Sequence, residues 1–214
     1  ELVNRFDASY DWVGHHLSKE IAQGKKDVNH LRKHFDWIDK NYNDENVLIN
    51  FLTNHDENSW NGSIKESYGN AEKVFTALSY ITPGMPLIYS GQEYDLDKRL
   101  LFFDKDSFPK NPGETIDFLK KIGDLKNNHL ALKGSLRYDK LSHIKTNADE
   151  KILAFERSNE GDTIVFIGNF NSNYSQFRMY YDGKFKSFPK GTNKILSSTY
   201  EYVMKPWEFW ILIK

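Results

Sequence analysis

A dense polar cluster follows the apolar run 47–52, in the stretch "NFLTNHDENSW". His55 and Asp56 are adjacent there, so one side chain can donate hydrogen bonds while the other accepts them. A ligand covered in hydroxyl groups needs both kinds of partner, and Trp60 adds an apolar face on which a sugar ring can lie. This combination of residue types is suited to binding a carbohydrate.

The same cluster also has a purely structural interpretation. Asn and Asp are common turn residues, so residues 54–57 can simply end a strand and cap the segment that follows. Short motifs often match by chance. Residue spacing by itself leaves both interpretations open, and the surrounding elements must decide between them.

The overall charge favours a neutral ligand. The 214 residues include 29 basic and 30 acidic side chains, for a formal net charge of -1. Such a balance gives no field that would recruit nucleic acid or an anionic membrane, and no apolar run approaches the length of a bilayer span. The absence of cysteine excludes disulfides, thiol catalysis and cysteine-ligated metal, and it leaves the cellular compartment open.

Strands and helices are predicted to alternate over residues 1–133. Strands are predicted in "FDASYDW", "NVLINFL" and "MPLIYSG", the last at residues 85–91. Helices are predicted after each strand from apolar residues at three- and four-residue spacing: Val28, Leu31, Phe35 and Ile38; Ala71, Val74, Leu78 and Ile81; Ile116, Leu119, Ile122 and Leu125. This order indicates parallel βα units, in which ligands gather beyond the carboxyl ends of the strands. The polar cluster lies at such an end.

The pattern changes to antiparallel β from about Gly134, so residues 134–214 are predicted to form a second domain. "KILAFERS" and "TIVFIGNF" are separated by the turn sequence "NEGD". Asp182-Gly183, between "FRMYY" and "KF", is a favoured two-residue hairpin turn. The ending "PWEFWILIK" alternates its apolar residues with a period of two, which favours a β sandwich.

Four motifs in this order resemble the α-amylase family of glycoside hydrolases. "FLTNHDENSW" resembles the last of the family's sequence motifs, at the seventh barrel strand, and "TPGMPLIYSGQE" (residues 82–93) resembles the eighth strand and its exit. "FDASYDW" resembles the sixth strand, and "PWEFWILIK" the last strand of the carboxyl-terminal domain. The resemblance spans nearly the whole chain. It implies the carboxyl-terminal part of a (β/α)8 TIM barrel followed by an antiparallel β-sandwich domain.

The resemblance also implies roles for individual residues. Asp56 matches the third active-site carboxylate, which stabilises the transition state and is not the nucleophile. His55 matches the histidine that binds hydroxyls of the same sugar. Asn54, Trp60 and Tyr89 are expected to bind substrate, although for Tyr89, at the exit of the eighth strand, ordinary strand-end hydrogen bonding is an equally good interpretation.

Two catalytic groups of the family are not matched by this sequence. The nucleophilic Asp and the acid/base Glu of a retaining glycosidase follow the fourth and fifth strands, and both are expected to precede residue 1. Arg5 and Asp7 imitate the context of the nucleophile, but the residues after them match the sixth strand. The chain is therefore expected to be an inactive fragment of an enzyme that hydrolyses α-glucosidic bonds of starch-like glucans with retention. The alternative is a non-catalytic, amylase-like glycan-binding or scaffolding protein.

The expected partner is an α-glucan oligosaccharide or polysaccharide. No metal site or other cofactor is predicted in this segment; the family often binds calcium, in segments that this sequence does not match. His15 and His16, beside Trp12, are expected to be a surface pair at a helix entry rather than a glycan subsite. Three strands of an unclosed barrel leave unpaired edges, which predicts self-association or pairing with a complementary segment.

Overall fold

A parallel three-stranded sheet forms the framework of the first part of the chain. A computed structural model describes residues 6–42, 46–133 and 141–214. Strands β1 (Ala8–Tyr10), β2 (Val47–Phe51) and β3 (Met85–Leu87) lie in the order β1-β2-β3. In the centre of the sheet, Ile49 pairs with Tyr10 on one side and with Met85 on the other, both in parallel register. The predicted parallel arrangement is confirmed.

Helices follow these strands, and buried side chains of the longer helices share one core with Leu48 of β2. Their bounds are α1 Trp12–Ala22, α2 Asn29–Asn41, α3 Ile64–Tyr68, α4 Glu72–Ile81, α5 Glu114–Asn128 and α6 Leu130–Lys133. Elements α2, α4 and α5 are the three helices predicted from apolar spacing. Helix α3 begins with a capping box, in which the Ser63 side chain accepts from Glu66 N and the Glu66 carboxylate accepts from Ser63 N. Within the described ranges, no helix is long and apolar enough to cross a bilayer.

Strand β3 differs from the buried strand predicted for residues 85–91. It ends at Leu87, and the side chains of Met85 and Ile88 are 40% and 42% exposed. The reason is position, because β3 lies at the edge of the three-stranded sheet while β2 lies at its centre. Gly84 lets the chain enter this strand: its φ is +105°, and a Cβ there would lie 2.3 Å from the carbonyl oxygen of Leu48.

The second part of the chain consists of two antiparallel sheets. One has six strands in the order β4-β5-β6-β11-β8-β9, and the other pairs β10 with β7. The strands are β4 Ser142–His143, β5 Ile152–Asn159, β6 Asp162–Asn169, β7 Ser175–Phe177, β8 Gly183–Phe188, β9 Thr192–Leu196, β10 Tyr202–Met204 and β11 Phe209–Ile213. Residues 141–214 contain no α-helix. The predicted sandwich architecture is confirmed.

One predicted hairpin forms and the other does not. Strands β5 and β6 pair around Glu160 and Gly161, both with positive φ (50° and 93°), as a tight two-residue turn requires. The prediction for Asp182-Gly183 is wrong, because β7 pairs with β10 while β8 pairs with β9 and β11. The chain crosses between the sheets there, and the Asp182 carboxylate accepts a hydrogen bond from Ser198 N at 2.9 Å.

The six-stranded sheet packs on both faces, following the period of two along its strands. Leu153 and Phe155 of β5 belong to a buried cluster shared with Leu119 and Ile122 of α5. The intervening Ala154 belongs to a second cluster that fills the space beneath β7 and β10. The helical layer, the large sheet and the small sheet are therefore stacked in succession. The predicted boundary after residue 133 adjoins residues 134–140, which lie outside the described residues, and it stays a prediction.

Two buried cations meet the carboxyl end of α4, where the helix leaves backbone carbonyls without partners. Arg157 of β5 donates from Nη1 to the Ile81 carbonyl oxygen at 3.0 Å. Lys126 of α5 donates from Nζ to the Thr82 carbonyl oxygen at 3.3 Å. Positive charge is favourable at a helix carboxyl end. The Arg157 contact joins the two parts of the chain, and the Lys126 contact holds α5 against the end of α4.

Candidate functional site

Strand β2 carries the chain to the polar cluster, and Asn54 sets its conformation there. The Asn54 Oδ1 accepts from Glu57 N at 2.9 Å, and its carbonyl oxygen accepts from Asn58 N at 2.9 Å. These bonds start a helical turn that continues as a π-helical turn, Glu57–Asn61. Asn54 is only 2% exposed, which leaves no surface for the sugar contact expected of it. The structure thus favours the capping interpretation for this residue.

His55 and Asp56, in contrast, face solvent beyond the strand end. Their side chains are 60% and 49% exposed, and His55 Nε2 lies 3.6 Å from Asp56 Oδ2. A pair so arranged offers an imidazole donor and a carboxylate acceptor to the same ligand. The predicted placement of these two residues at the carboxyl end of a parallel strand is therefore what the structure shows, while their roles toward a ligand stay predictions.

An exposed aromatic group adjoins this pair. Trp60 is 57% exposed and its ring lies 5.4 Å from that of Phe102, measured between centroids. Phe102 also lies 5.9 Å from the His55 ring at an angle of 27°, and Phe103 packs edge-on against Phe102 at 4.8 Å. Sequence reasoning missed both phenylalanines, since they lie in an irregular segment with no periodic pattern. The signal that could have revealed them is the apolar run "LLFF" between charged residues.

Hydrogen bonds hold the segment that carries these phenylalanines against the turn after β2. The Asn58 side chain is central: its Nδ2 donates to the Lys98 carbonyl oxygen at 3.1 Å, and its Oδ1 accepts from Leu100 N at 2.8 Å. Ser59 Oγ donates to the Leu100 carbonyl oxygen at 2.7 Å. Arg99 forms a bidentate pair with Glu66 at 2.8 and 3.0 Å. The exits of β2 and β3 thus form one continuous surface.

A buried polar group supports this turn from below. The Glu57 carboxylate accepts from Asn61 Nδ2 at 2.8 Å and from Lys19 Nζ at 3.2 Å, and His15 Nε2 lies 3.1 Å away. Burial acts to raise the pKa of Glu57, but hydrogen bonding by His15 and Asn61 outweighs it and the pKa is lowered. Burial lowers the pKa of His15, although Glu57 opposes the change. Glu57 thus ties the turn after β2 to α1 through Lys19 and His15.

The expectation that His15 and His16 form a surface pair is wrong for His15. His15 is 2% exposed and stacks on Phe51 with 4.6 Å between centroids and an interplanar angle of 6°. The favourable ring contact and the Glu57 carboxylate explain why this histidine faces inward. His16 is exposed, as expected.

One group of possible metal ligands lies here among the described residues. Nitrogen or oxygen atoms of His15, His16 and Glu57 lie within 4.8 Å of one another. However, Lys19 already brings an ammonium to 3.2 Å from the Glu57 carboxylate, and like charge disfavours a metal ion beside it. The prediction that this segment has no metal site is therefore kept as a prediction.

Tyr89 lies after β3 and is half-buried, which raises the pKa of its hydroxyl. Its carbonyl oxygen accepts from Gln92 N at 3.0 Å and so begins the short 3-10 helical turn Gln92–Tyr94. Among the described residues, the ring contacts around His55 and Trp60 do not include Tyr89. This geometry favours the strand-end interpretation, and a role in substrate binding stays a prediction.

Several solved structures share this architecture. One is a maltogenic α-amylase from Thermotoga neapolitana. The match covers 99% of the present chain and 51% of the amylase chain, with a TM-score of 0.84 and 16% sequence identity. An α-amylase from Lactobacillus plantarum matches 100% and 49% with a TM-score of 0.78 at 18% identity. An α-amylase from Geobacillus thermoleovorans, solved in complex with acarbose, matches 97% and 48% with a TM-score of 0.69 at 18% identity.

These matches establish the fold. No protein-family profile and no curated protein sequence matches the chain. The chain spans about half the length of the solved structures it matches, and the matched half is the carboxyl-terminal portion of the larger enzymes. The chain therefore has the fold of the carboxyl-terminal part of α-amylases: the end of the barrel and the β sandwich that follows it.

Proposed function

We propose that this chain supplies part of the active site of an α-amylase-like glycoside hydrolase that cleaves α-glucosidic bonds of starch-like glucans with retention. The observation that carries the proposal is the exposed pair His55 and Asp56 at the carboxyl end of β2. In parallel βα folds, this edge of the sheet is where ligands bind. The complex of the Geobacillus thermoleovorans enzyme with acarbose supports an oligosaccharide as the ligand class.

Asp56 is proposed to act on the transition state rather than on the bound substrate. The glycosidic transition state resembles an oxocarbenium ion and carries positive charge on the sugar ring. An ionised carboxylate held at the strand end stabilises that charge, and a contact that strengthens in the transition state raises the rate. His55 would donate or accept hydrogen bonds to hydroxyls of the same ring. Neither residue forms the covalent intermediate in this proposal.

The nucleophile and the acid/base are proposed to come from a segment that this chain does not include. The test compares the 214-residue chain with a longer protein that contains it and the preceding coding segment, on a chromogenic maltoside. The longer protein should hydrolyse the substrate and the 214-residue chain should not. A stabilising carboxylate alone cannot form the covalent glycosyl-enzyme intermediate, which requires a nucleophile and an acid/base. Hydrolysis by the pure chain that Asp56→Asn leaves unchanged would overturn the proposal.

A non-catalytic glycan-binding protein is the second candidate, and the exposed aromatic group around Trp60 is the observation that favours it, because such a surface can hold a sugar without any chemistry. The preceding coding sequence separates the two. An Asp and a Glu at the ends of the fourth and fifth barrel strands support the hydrolase, and their absence supports the binding protein.

A further inference from the structure

We propose that Trp60, Phe102 and Phe103 form an aromatic platform that binds a second glucosyl ring, next to the ring that His55 and Asp56 contact. The inference rests on the proposed function and adds to it which side chains hold the ring beside the cleavage site. Phe102 is the central member, with its ring 5.9 Å from His55 and 5.4 Å from Trp60.

The exposure of these rings argues against a role in the core. Trp60, Phe102 and Phe103 are 57%, 38% and 83% exposed. Single exposed apolar side chains are ordinary, but three in mutual contact form a patch, and such patches mark binding surfaces. The patch is contiguous with a histidine and a carboxylate, a combination of apolar faces and a few polar groups that is typical of small-ligand sites. Sugar rings match it, since they have apolar C–H faces and hydroxyl edges.

Hydrogen bonds fix the backbone of the segment that carries Phe102 and Phe103. The site is therefore expected to be in its binding conformation before the ligand arrives. Leu100, two residues before Phe102, is fixed through both backbone polar groups by Asn58 and Ser59. Leu101 N donates to Asp106 Oδ2 at 3.0 Å, which closes the segment on its other side. A surface that does not need to be ordered on binding gives up less of its interaction free energy.

Binding to the 214-residue chain, followed by ligand-detected NMR titration, tests the platform. The probes are maltotetraose, methyl α-glucoside and cellotetraose. Unsubstituted chain should bind maltotetraose more tightly than methyl α-glucoside, because only the longer sugar reaches the platform. Phe103→Ala should weaken maltotetraose binding about tenfold, the effect of losing roughly 60 Å² of apolar contact, and leave methyl α-glucoside binding unchanged. Tyr174→Ala removes another exposed aromatic ring, 66% exposed and in the antiparallel part, and should change neither.

Each other outcome has a distinct meaning. Equal maltotetraose binding by the unsubstituted chain and Phe103→Ala, with binding lost in His55→Ala, would overturn the platform and leave the proposed function standing. A tenfold effect of Phe103→Ala on cellotetraose, with no maltotetraose binding, would keep a sugar platform and overturn the α-glucan function. Absence of all sugar binding would overturn the platform, and hydrolysis by the longer protein would then still decide the function. If Phe103→Ala changes the sedimentation of the chain but not its sugar binding, the patch is a protein–protein contact and the platform is overturned.

Discussion

His55 and Asp56 lie side by side, but they differ in what they can contribute to a charged transition state. The Asp56 carboxylate can oppose positive charge on a sugar ring, whereas the His55 imidazole is proposed to act through hydrogen bonds. Both are held by the backbone of one turn, which Asn54 caps and Glu57 anchors to α1 through Lys19. Their position relative to the end of β2 therefore depends on buried neighbours that do not touch a ligand themselves.

In the longer protein, His55→Ala should lower kcat/KM for maltotetraose by about tenfold, because one or two hydrogen bonds of about 1 kcal/mol each are lost. The fall should be smaller than that caused by Asp56→Asn, since the charge remains. Steady-state kinetics of the two variants beside His16→Ala, an exposed histidine on α1, would check the order. A fall for His55→Ala larger than that for Asp56→Asn would contradict this division of roles.

At the scale of elements, the carboxyl end of α4 binds two buried cations, and one of them titrates in an accessible range. Burial, with a smaller contribution from the charge of Arg157, lowers the pKa of Lys126 to about 7. Between that value and the ordinary lysine pKa, the unfolded chain binds a proton that the folded chain does not. Stability should therefore rise as pH increases from about 7 toward 10, and the destabilising protonation should be complete below 7.

Lys126→Met should remove this rise, because methionine fills similar space without a proton to lose. Denaturant unfolding of the 214-residue chain at pH 7 and pH 9.5 would measure it. Lys121→Met, at an exposed position on the same helix, serves as the matched control and should keep the dependence of the parent chain. If Lys126→Met shows the same gain in stability with pH as the parent, Lys126 is not the group responsible.

An element could be predicted from sequence when residues near one another in the chain determine its structure. Helices α2, α4 and α5 repeat apolar residues on one face, and the β5–β6 hairpin has its turn residues in place, so short-range patterns were sufficient. The turn at Asp182-Gly183 has the same local chemistry as a hairpin, yet long-range pairing of β8 with β11 overrides it. The exposure of β3 likewise depends on its position at the sheet edge, which local sequence does not contain.

The candidate site shows the same division. The strand end and the pair His55 and Asp56 were predictable because parallel βα units place ligands there. The inward rotation of His15 depends on its contact with Phe51, 36 residues further along the chain. The contact between Trp60 and Phe102 joins residues that are 42 positions apart. No local pattern of residue types encodes such contacts.

At the scale of the whole molecule, the parallel sheet ends on both sides in strands that pair only once among the described residues. Unpaired edges favour association, so the 214-residue chain should sediment as a concentration-dependent mixture of monomer and larger species. Met85→Lys should shift the mixture toward monomer, because a charge on an edge strand opposes pairing, while Tyr200→Lys, at an exposed position outside the strands, should not. A monomer at every concentration would contradict the expectation.

Steady-state kinetics of Asp56→Asn in the longer protein tests whether Asp56 stabilises a glycosidic transition state. Sugar hydroxyls in the bound substrate can pair with an amide nearly as well as with a carboxylate, but only the carboxylate opposes the positive charge that develops on the ring. We expect kcat on maltotetraose to fall by about 10²–10³, with KM within about threefold of the parent value. A kcat within about twofold of the parent would make Asp56 an ordinary strand-end residue with no part in stabilising the transition state.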